Sequence, residues 1–168
     1  VKALIEKHAD VRAKAWLDKT AQHHSEYNRD VTALMLAAEN GRTEVVKVLL
    51  EKEASVNARD KSGAPALMRA VNQGHVEVVK ALLEHNAELE TQGERKDTAL
   101  LRAVAKGQAE VVSALLDKKA NIEARREDGN TPLILAAEGD HVEIVKILIA
   151  KGANLNAENM YGDRALKV

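Results

Sequence analysis

The most reactive side chains in the sequence stand together in one short segment, His23-His24-Ser25-Glu26. Two imidazoles and a carboxylate are ligands that zinc accepts, and a serine beside a histidine is the pairing that serine nucleophiles use. A zinc site needs three or four converging ligands, whereas neighbouring side chains in a loop diverge. A catalytic serine also needs an orienting acid and an oxyanion hole, and the sequence indicates neither. We therefore interpret the segment as a solvated loop and predict no catalytic, metal-binding or cofactor-binding residues.

Trp16 and Tyr27 flank this segment in a chain that has one Trp, two Tyr and no Phe. Trp and Tyr are favoured at the energetic centres of protein interfaces. Exposed on a loop, these two side chains would contact a partner. Folded back against the rest of the molecule, Trp16 would instead anchor the loop. The sequence leaves both interpretations open.

Arg69 and Arg102 are 33 residues apart and occupy equivalent places in two copies of a repeating pattern. Further polar and basic residues of the repeating pattern are Lys61 and Arg95 on fingers and Gln73 and Lys106 after first helices. Together they predict a basic strip that would bind an acidic peptide or protein segment. The alternative is that both arginines form ion pairs with nearby acids such as Glu77 or Glu94. A phosphate or nucleotide ligand would require a tighter cluster of basic groups.

The overall composition argues against several classes of protein. The chain has 25 basic and 26 acidic residues and a formal net charge of −1, so a basic surface for nucleic acid is not expected. Cysteine is absent, which excludes disulfides and thiolate chemistry. No apolar run approaches the roughly 18 residues of a membrane span. We expect an intracellular, cytoplasmic protein that does not insert into membranes.

A 33-residue period runs through the chain from Thr32 onward. Its clearest mark is a short segment that recurs at this spacing: Thr32-Ala-Leu-Met, Pro65-Ala-Leu-Met, Thr98-Ala-Leu-Leu, Thr131-Pro-Leu-Ile and Arg164-Ala-Leu. A longer apolar segment follows in each full copy: EVVKVLLEKEASVNA, EVVKALLEHNAELET, EVVSALLDKKANIEA and EIVKILIAKGANLNA. Single copies cannot bury their own apolar faces, but stacked copies can. The period therefore predicts a repeat protein.

The copy that starts at Thr131 shows how one period folds. Thr131 is a suitable helix N-cap, and Pro132 follows at the first helical position, where its missing N–H costs nothing. The apolar residues of EIVKILI have helical spacing and predict a second helix. Gly152 ends that helix in the left-handed conformation, and Gly162 supplies the turn of a hairpin that leads to the next copy.

This pattern resembles the ankyrin repeat, and the stretch GNTPLILAAEGDHVEIVKILIAKGANLNA matches the family consensus best. The resemblance implies a mainly α fold, an α-solenoid of stacked ankyrin repeats with two antiparallel helices and a projecting β-hairpin finger in each. It gives His75 and His141 a structural role between neighbouring loops. It also makes Asn57 and Asn156 candidates for hydroxylation by an oxygenase, while a hairpin-stabilising role is the simpler expectation for both.

Several copies depart from the consensus where it has glycine. The left-handed position after the second helix is filled by His8, Glu53, Asn86, Lys119 and Gly152. Lys96 likewise replaces the hairpin glycine. A side chain in the left-handed conformation costs on the order of 1 kcal/mol. We therefore expect a weak point around residues 91–97.

We interpret the chain as a single array with uneven parts. They are a partial repeat at 1–13, a hairpin with about twelve inserted residues at 14–31, four repeats at 32–64, 65–97, 98–130 and 131–163, and the start of a further repeat at 164–168. Insertions in such arrays often lie on the binding face. Because neither end resembles a polar capping repeat, we expect an excerpt of a longer array with further repeats or other domains beyond both ends.

The resemblance implies a non-catalytic module or scaffold that binds a partner protein or peptide on the concave surface of fingers and first helices. One alternative is a regulatory or ligand-sensing domain of a larger enzyme or channel. The 2-5A-dependent ribonuclease has an array of this style, with a long interruption before a segment similar to Thr32-Ala-Leu-Met. A second alternative is a structural spacer. We predict no enzymatic activity within these residues, and small-ligand binding stays open.

Overall fold

The computed structural model of the protein describes residues 30–93 and 96–165, and these contain eight α-helices. The chain divides into an N-terminal unit, Val1–Glu88, and a C-terminal unit, Leu89–Val168. The N-terminal unit contains α1 (Ala33–Glu39), α2 (Thr43–Glu51), α3 (Ala66–Gln73) and α4 (Val76–Glu84). The C-terminal unit contains α5 (Ala99–Ala105), α6 (Ala109–Asp117), α7 (Pro132–Glu138) and α8 (Val142–Ala150). Each pair therefore consists of a short first helix and a second helix of nine residues.

The first helices begin where the recurring threonines predict. The hydroxyls of Thr32, Thr98 and Thr131 each accept a hydrogen bond from the backbone N–H three residues later, at 3.2–3.4 Å. Pro132 occupies the first turn of α7, as expected. Pro65 takes the same extended N-cap conformation before α3 but has no hydroxyl, so that helix has no side-chain cap. The predicted cap at Thr131 is confirmed.

The core of each unit is formed by the facing sides of its helices. Within the N-terminal unit α1 packs on α2 and α3, and within the C-terminal unit α5 packs on α6 and α7. A fully buried alanine recurs on the first helices at Ala38, Ala70, Ala103 and Ala136. Such a small side chain lets neighbouring helices approach closely. The largest fully buried side chains are Leu, Ile and Met, in agreement with a chain that has no Phe.

Non-glycine residues take the left-handed conformation at the positions that the sequence indicated. Glu53, Asn86 and Lys119 have φ angles of 58°, 59° and 67°, compared with 87° at Gly152. Lys96 has a φ of 58° in place of a hairpin glycine. His8, the fifth of the predicted positions, lies outside the described residues. The predicted departures from glycine are therefore confirmed wherever the structure describes them.

The first and the last described fingers are tight hairpins whose turns are closed from both sides. In the first described finger the N–H of Asp60 donates to the carbonyl of Ala64 at 3.2 Å, and the N–H of Ala64 donates back to the Asp60 carboxylate at 2.9 Å. Asn159 and Asp163 repeat both bonds in the last finger, at 3.1 and 2.9 Å. In both fingers a side-chain oxygen thus accepts the second hydrogen bond, which a backbone carbonyl would accept in a regular strand pair. An antiparallel bridge joins Glu158 and Arg164 at the base of that finger.

The two histidines have the predicted structural role. His75 Nε2 lies 3.0 Å from the carbonyl oxygen of Glu39, the last residue of α1 in the same unit. A Cβ atom added to Gly41 would lie 2.8 Å from the His75 ring, and one added to Gly107 would lie 2.9 Å from the His141 ring. Each imidazole therefore packs against a glycine of the preceding copy, where no side chain fits.

The cost of a left-handed side chain can be measured at Lys119, which is exposed and follows α6. We expect Lys119→Gly to raise the free energy of unfolding by about 1 kcal/mol relative to Lys119→Ala, because only glycine adopts this φ without steric cost. Urea unfolding followed by helical circular dichroism measures the difference. An Ala variant as stable as the Gly variant would contradict the explanation.

Candidate functional site

A hydrogen bond from one copy to the finger of the previous copy recurs through the described residues. The side-chain oxygen of Asn57 accepts from the backbone N–H of Glu88 at 2.8 Å. Two further acceptors repeat it 33 and 66 residues later: Glu90 accepts from Asn121 at 2.9 Å, and Glu123 accepts from Asn154 at 2.7 Å. Each finger is therefore fixed to its neighbour at its base. We call these three bonds the finger links.

Asn57 and Asn156 occupy the same place in their copies but have different surroundings. The Asn57 amide makes two contacts, because its Nδ2 also donates to the carbonyl of Asn86 at 3.3 Å. The side chain of Asn156 is exposed, and its backbone N–H donates to Asn154 Oδ1 at 3.0 Å. Asn57 therefore stabilises its finger, which is the simpler of the two expectations for this position.

Nearer the fingertips, a second contact joins neighbouring fingers of the C-terminal unit. Arg126 donates through Nε to the Asp97 carboxylate at 2.7 Å. One copy later Asn159 Nδ2 donates to Asn130 Oδ1 at 2.8 Å. An ion pair and a neutral amide pair thus connect equivalent positions. Both pairs are largely buried, so they position the fingers better than exposed pairs would.

Arg69 lies on α3 between two carboxylates and not at a free surface. Its guanidinium forms ion pairs with Glu39 of the preceding first helix and, at 2.7 Å, with Asp60 of the finger. The side chain of Arg69 is 13% exposed and that of Asp60 only 2%. The ion-pair alternative anticipated Glu77 or Glu94 as partners, but Glu77 instead pairs with Lys80, and Glu94 lies outside the described residues.

The Asp60 carboxylate is held in its charged form. Burial by itself would raise its pKa, but hydrogen bonds from Ser62, Arg69 and the N–H of Ala64 outweigh burial. Together with the positive charge of Arg69, they lower the pKa of Asp60 below its ordinary value. The Arg69–Asp60 pair therefore joins the finger to the first helix that follows it.

The other predicted binding residues lie in different settings. Lys61, at the tip of the first described finger, and Gln73, on α3, are exposed in the N-terminal unit. In the C-terminal unit Arg102 is half-buried on α5 and Lys106 is exposed just after it. The remaining candidates, Trp16, Tyr27 and Arg95, lie outside the described residues, as does the segment His23-His24-Ser25-Glu26. Within the predicted strip, Arg69 is thus already paired with acids of its own unit.

The tip of the last described finger was not among the residues predicted from the sequence. Met160 and Tyr161 are 73% and 76% exposed, the largest exposures among the bulky apolar side chains that the structure describes. They line a groove of about 430 Å³ together with Arg126, Glu127 and Asp128 of the preceding finger. A signal was present, because the equivalent tip residues of the first described finger are the polar Lys61 and Ser62.

The described residues offer little support for other kinds of site. Residues 30–93 and 96–165 contain no group of three or more His, Asp or Glu side chains placed to hold a metal ion. None of the helices in these ranges has the length and apolar character to cross a membrane. The arrangement that remains is a set of ordered fingers with side chains directed to solvent.

Paired helices at 33-residue intervals, with fingers fixed to one another by finger links, define a helical repeat protein. The family model described as "Ankyrin repeats (3 copies)" matches residues 1–93 and 86–159. The chain therefore belongs to the ankyrin-repeat family, and the predicted mainly α fold of stacked ankyrin repeats is confirmed. Ankyrin repeats are generally protein–protein interaction modules and are typically non-catalytic. Among curated proteins, no sequence matches this chain.

Because the pKa of Asp60 is lowered, the free energy of unfolding depends on pH in a definite direction. Because the folded pKa lies below the unfolded value of about 3.9, Asp60 stabilises the fold above that pH, and the stabilisation is lost as pH falls through the folded pKa. We expect Asp60→Asn to lower the free energy of unfolding at pH 7 by about 1–3 kcal/mol and to weaken its dependence on pH below about pH 4.

Asp117→Asn is the matched control, because Asp117 pairs with Lys151 at 2.8 Å on an exposed surface where such pairs contribute little. Urea unfolding of the native chain and both variants at pH 3 and pH 7 makes the comparison. Equal pH dependence in the two variants would show that Asp60 is not held in its charged form.

Proposed function

We propose that this chain is a non-catalytic recognition module that binds a partner protein or peptide on its fingers and first helices. The observation that supports it most directly is the set of finger links, which fix each finger through its base at 2.7–2.9 Å. Side chains at the fingertips remain exposed. A surface that is ordered before binding loses little conformational entropy when the partner arrives.

The exposed members of the predicted strip are the residues that we expect to touch the partner. Lys61, Gln73 and Lys106 are solvent-accessible and two of them are cationic, which favours an acidic segment of the partner. Arg69 serves a different purpose in this proposal: it orders the finger through Asp60. Arg102 is half-buried and completes the surface of α5. Trp16, Tyr27 and Arg95 belong to the proposed surface on the grounds given by the sequence.

We retain Asn57 and Asn156 as the proposed sites of hydroxylation. Asn156 has an exposed side chain, whereas an enzyme would have to break two contacts to extract Asn57. We therefore expect Asn156 to be modified first. Mass spectrometry of peptides from the natively expressed protein would show the added oxygen atom, and modification of Asn57 with none at Asn156 would contradict this order.

The binding surface is tested by affinity capture with charge-reversed baits. We expect Lys61→Glu and Lys106→Glu, tested singly, each to reduce the captured partner about tenfold, because the reversed charge repels an acidic segment. Lys80→Glu and Lys146→Glu are matched controls on the second helices α4 and α8 and should capture as the native chain does. Arg69 is left unchanged, since reversing its charge would disrupt the ion pairs with Glu39 and Asp60.

A further bait lacks residues 18–29, which restores the 33-residue spacing before Thr32. Loss of capture with this bait would place contacts on the inserted residues that carry Tyr27. All baits must first show the helical circular dichroism of the native chain. A native bait that enriches no partner over the Lys61→Glu and Lys106→Glu baits would contradict the proposal and favour a structural spacer.

A further inference from the structure

The fingertip of Met160 and Tyr161 differs chemically from the equivalent tips in the chain. The same two positions hold Lys61 and Ser62 in the first described finger, and Glu127 and Asp128 in the finger before it. Stacking of the copies therefore does not require apolar residues at a tip. Met160 and Tyr161 are nevertheless 73% and 76% exposed. Their apolar character calls for a role outside the core of the fold.

The exposed position of this tip is built into the finger. Asn159 Oδ1 accepts from the backbone N–H groups of Tyr161 and Asp163, both at 2.9 Å. The N–H of Met160 donates to the carbonyl of Asp128 in the preceding finger at 3.1 Å. A Cβ atom added to Gly129 would lie 2.9 Å from the Met160 nitrogen, so the two fingers meet where only glycine fits. The tip is thus fixed on both sides.

The groove beside this tip has an excess of negative charge. It is lined by Arg126, Glu127, Asp128, Met160 and Tyr161 and has a volume of about 430 Å³. The only cation in that lining is Arg126, which is neutralised by Asp97 at 2.7 Å.

The two acidic residues of the lining keep their charge available to a ligand. The Asp128 carboxylate accepts from the backbone and side-chain nitrogens of Asn130, at 2.9 and 3.2 Å, and these are neutral donors. Glu127 is exposed, and no cation of the described residues lies within ion-pair distance of it. Arg125 is not part of the lining, and its guanidinium donates to the neutral carbonyls of Gly129 and Glu158 beside the groove, at 3.0 and 2.8 Å.

We propose that the groove between residues 126–128 and 159–162 receives an arginine or lysine side chain of the partner protein. A cation is attracted to the face of a tyrosine ring and forms charge-assisted hydrogen bonds with carboxylates. The aliphatic stem of the same side chain would pack on Met160. This inference rests on the proposed function and names the chemistry of one subsite, distinct from the acidic segment expected near Lys61 and Lys106.

The methyl group of Met160 serves as a spectroscopic probe of this groove. Of its three methionines, Met35 and Met68 are 1% exposed in the core, and only Met160 lines the groove. A spectrum of the whole chain labelled with ¹³C at the methionine methyl groups would therefore show one resonance from the groove and two from the core. The probes are an acetylated pentapeptide Gly-Leu-Arg-Leu-Gly amide and the same peptide with citrulline, which has nearly the same shape without the charge.

We expect the arginine peptide to shift the Met160 resonance saturably while Met35 and Met68 do not move. The citrulline peptide should bind about fivefold more weakly, since it loses the cation–π and carboxylate interactions. Equal affinity of the two peptides, or no shift of Met160 at millimolar concentration, would overturn the proposal. A Met160 shift that depends on protein concentration alone would show a second copy of the chain in the groove and would overturn it too.

Variants of the same labelled chain separate the contribution of the tyrosine ring from that of the Glu127 carboxylate. Tyr161→Ala and Glu127→Gln should each weaken the arginine peptide severalfold, while Tyr161→Phe, which keeps the ring, should not. Glu110→Gln, an equivalent loss of charge on the exposed side of α6, is the control. If partner capture depends on Lys61 or Lys106 and these variants change nothing, only the subsite is wrong. If capture fails as well, the proposed function is also wrong.

Discussion

The orientation of the fingers depends on one recurring interaction, in which a side-chain oxygen near the end of one copy accepts a backbone N–H of the next. Asn57 and Glu90 accept these bonds in successive copies, and Glu123 does so in a third. The acceptor is an amide oxygen in one copy and a carboxylate oxygen in the other two, at 2.7–2.9 Å, so the shared feature is an oxygen at the right reach. Burial of the helix faces holds the copies together, while the finger links decide where the fingers lie.

The finger link recurs from copy to copy, but the contacts closer to the fingertips differ between copies. Closer to the tips, an ion pair joins Arg126 to Asp97, and one copy later an amide pair joins Asn159 to Asn130. In the N-terminal unit, Arg69 orders its finger by contacting Asp60. The surfaces of successive fingers consequently differ although their backbones repeat. Such variation on a regular frame allows a repeat protein to recognise one partner at several distinct subsites.

The sequence alone was sufficient for the features that are periodic or local. Helix pairs, the cap at Thr131 and the left-handed Lys119 follow from spacing and from steric rules that act within a few residues. The pairing of Arg69 with Glu39 did not follow, because Glu39 is 30 residues away and becomes adjacent only when copies stack. The groove at Met160 was also missed, since a surface residue that contributes to no core leaves no periodic signal. Only a comparison of equivalent tip residues would have identified it.

Backbone amide hydrogen exchange of the finger links tests most directly whether the fingers are ordered before a partner binds. We predict that the amides of Glu88, Asn121 and Asn154 exchange at least about tenfold more slowly than in an unstructured chain, because each donates to a side-chain oxygen. Asn57→Ala should remove the protection at Glu88 and leave the helical amides unchanged. Exchange of all three amides at the unstructured rate, within a chain whose helices are protected, would show that these bonds do not order the fingers.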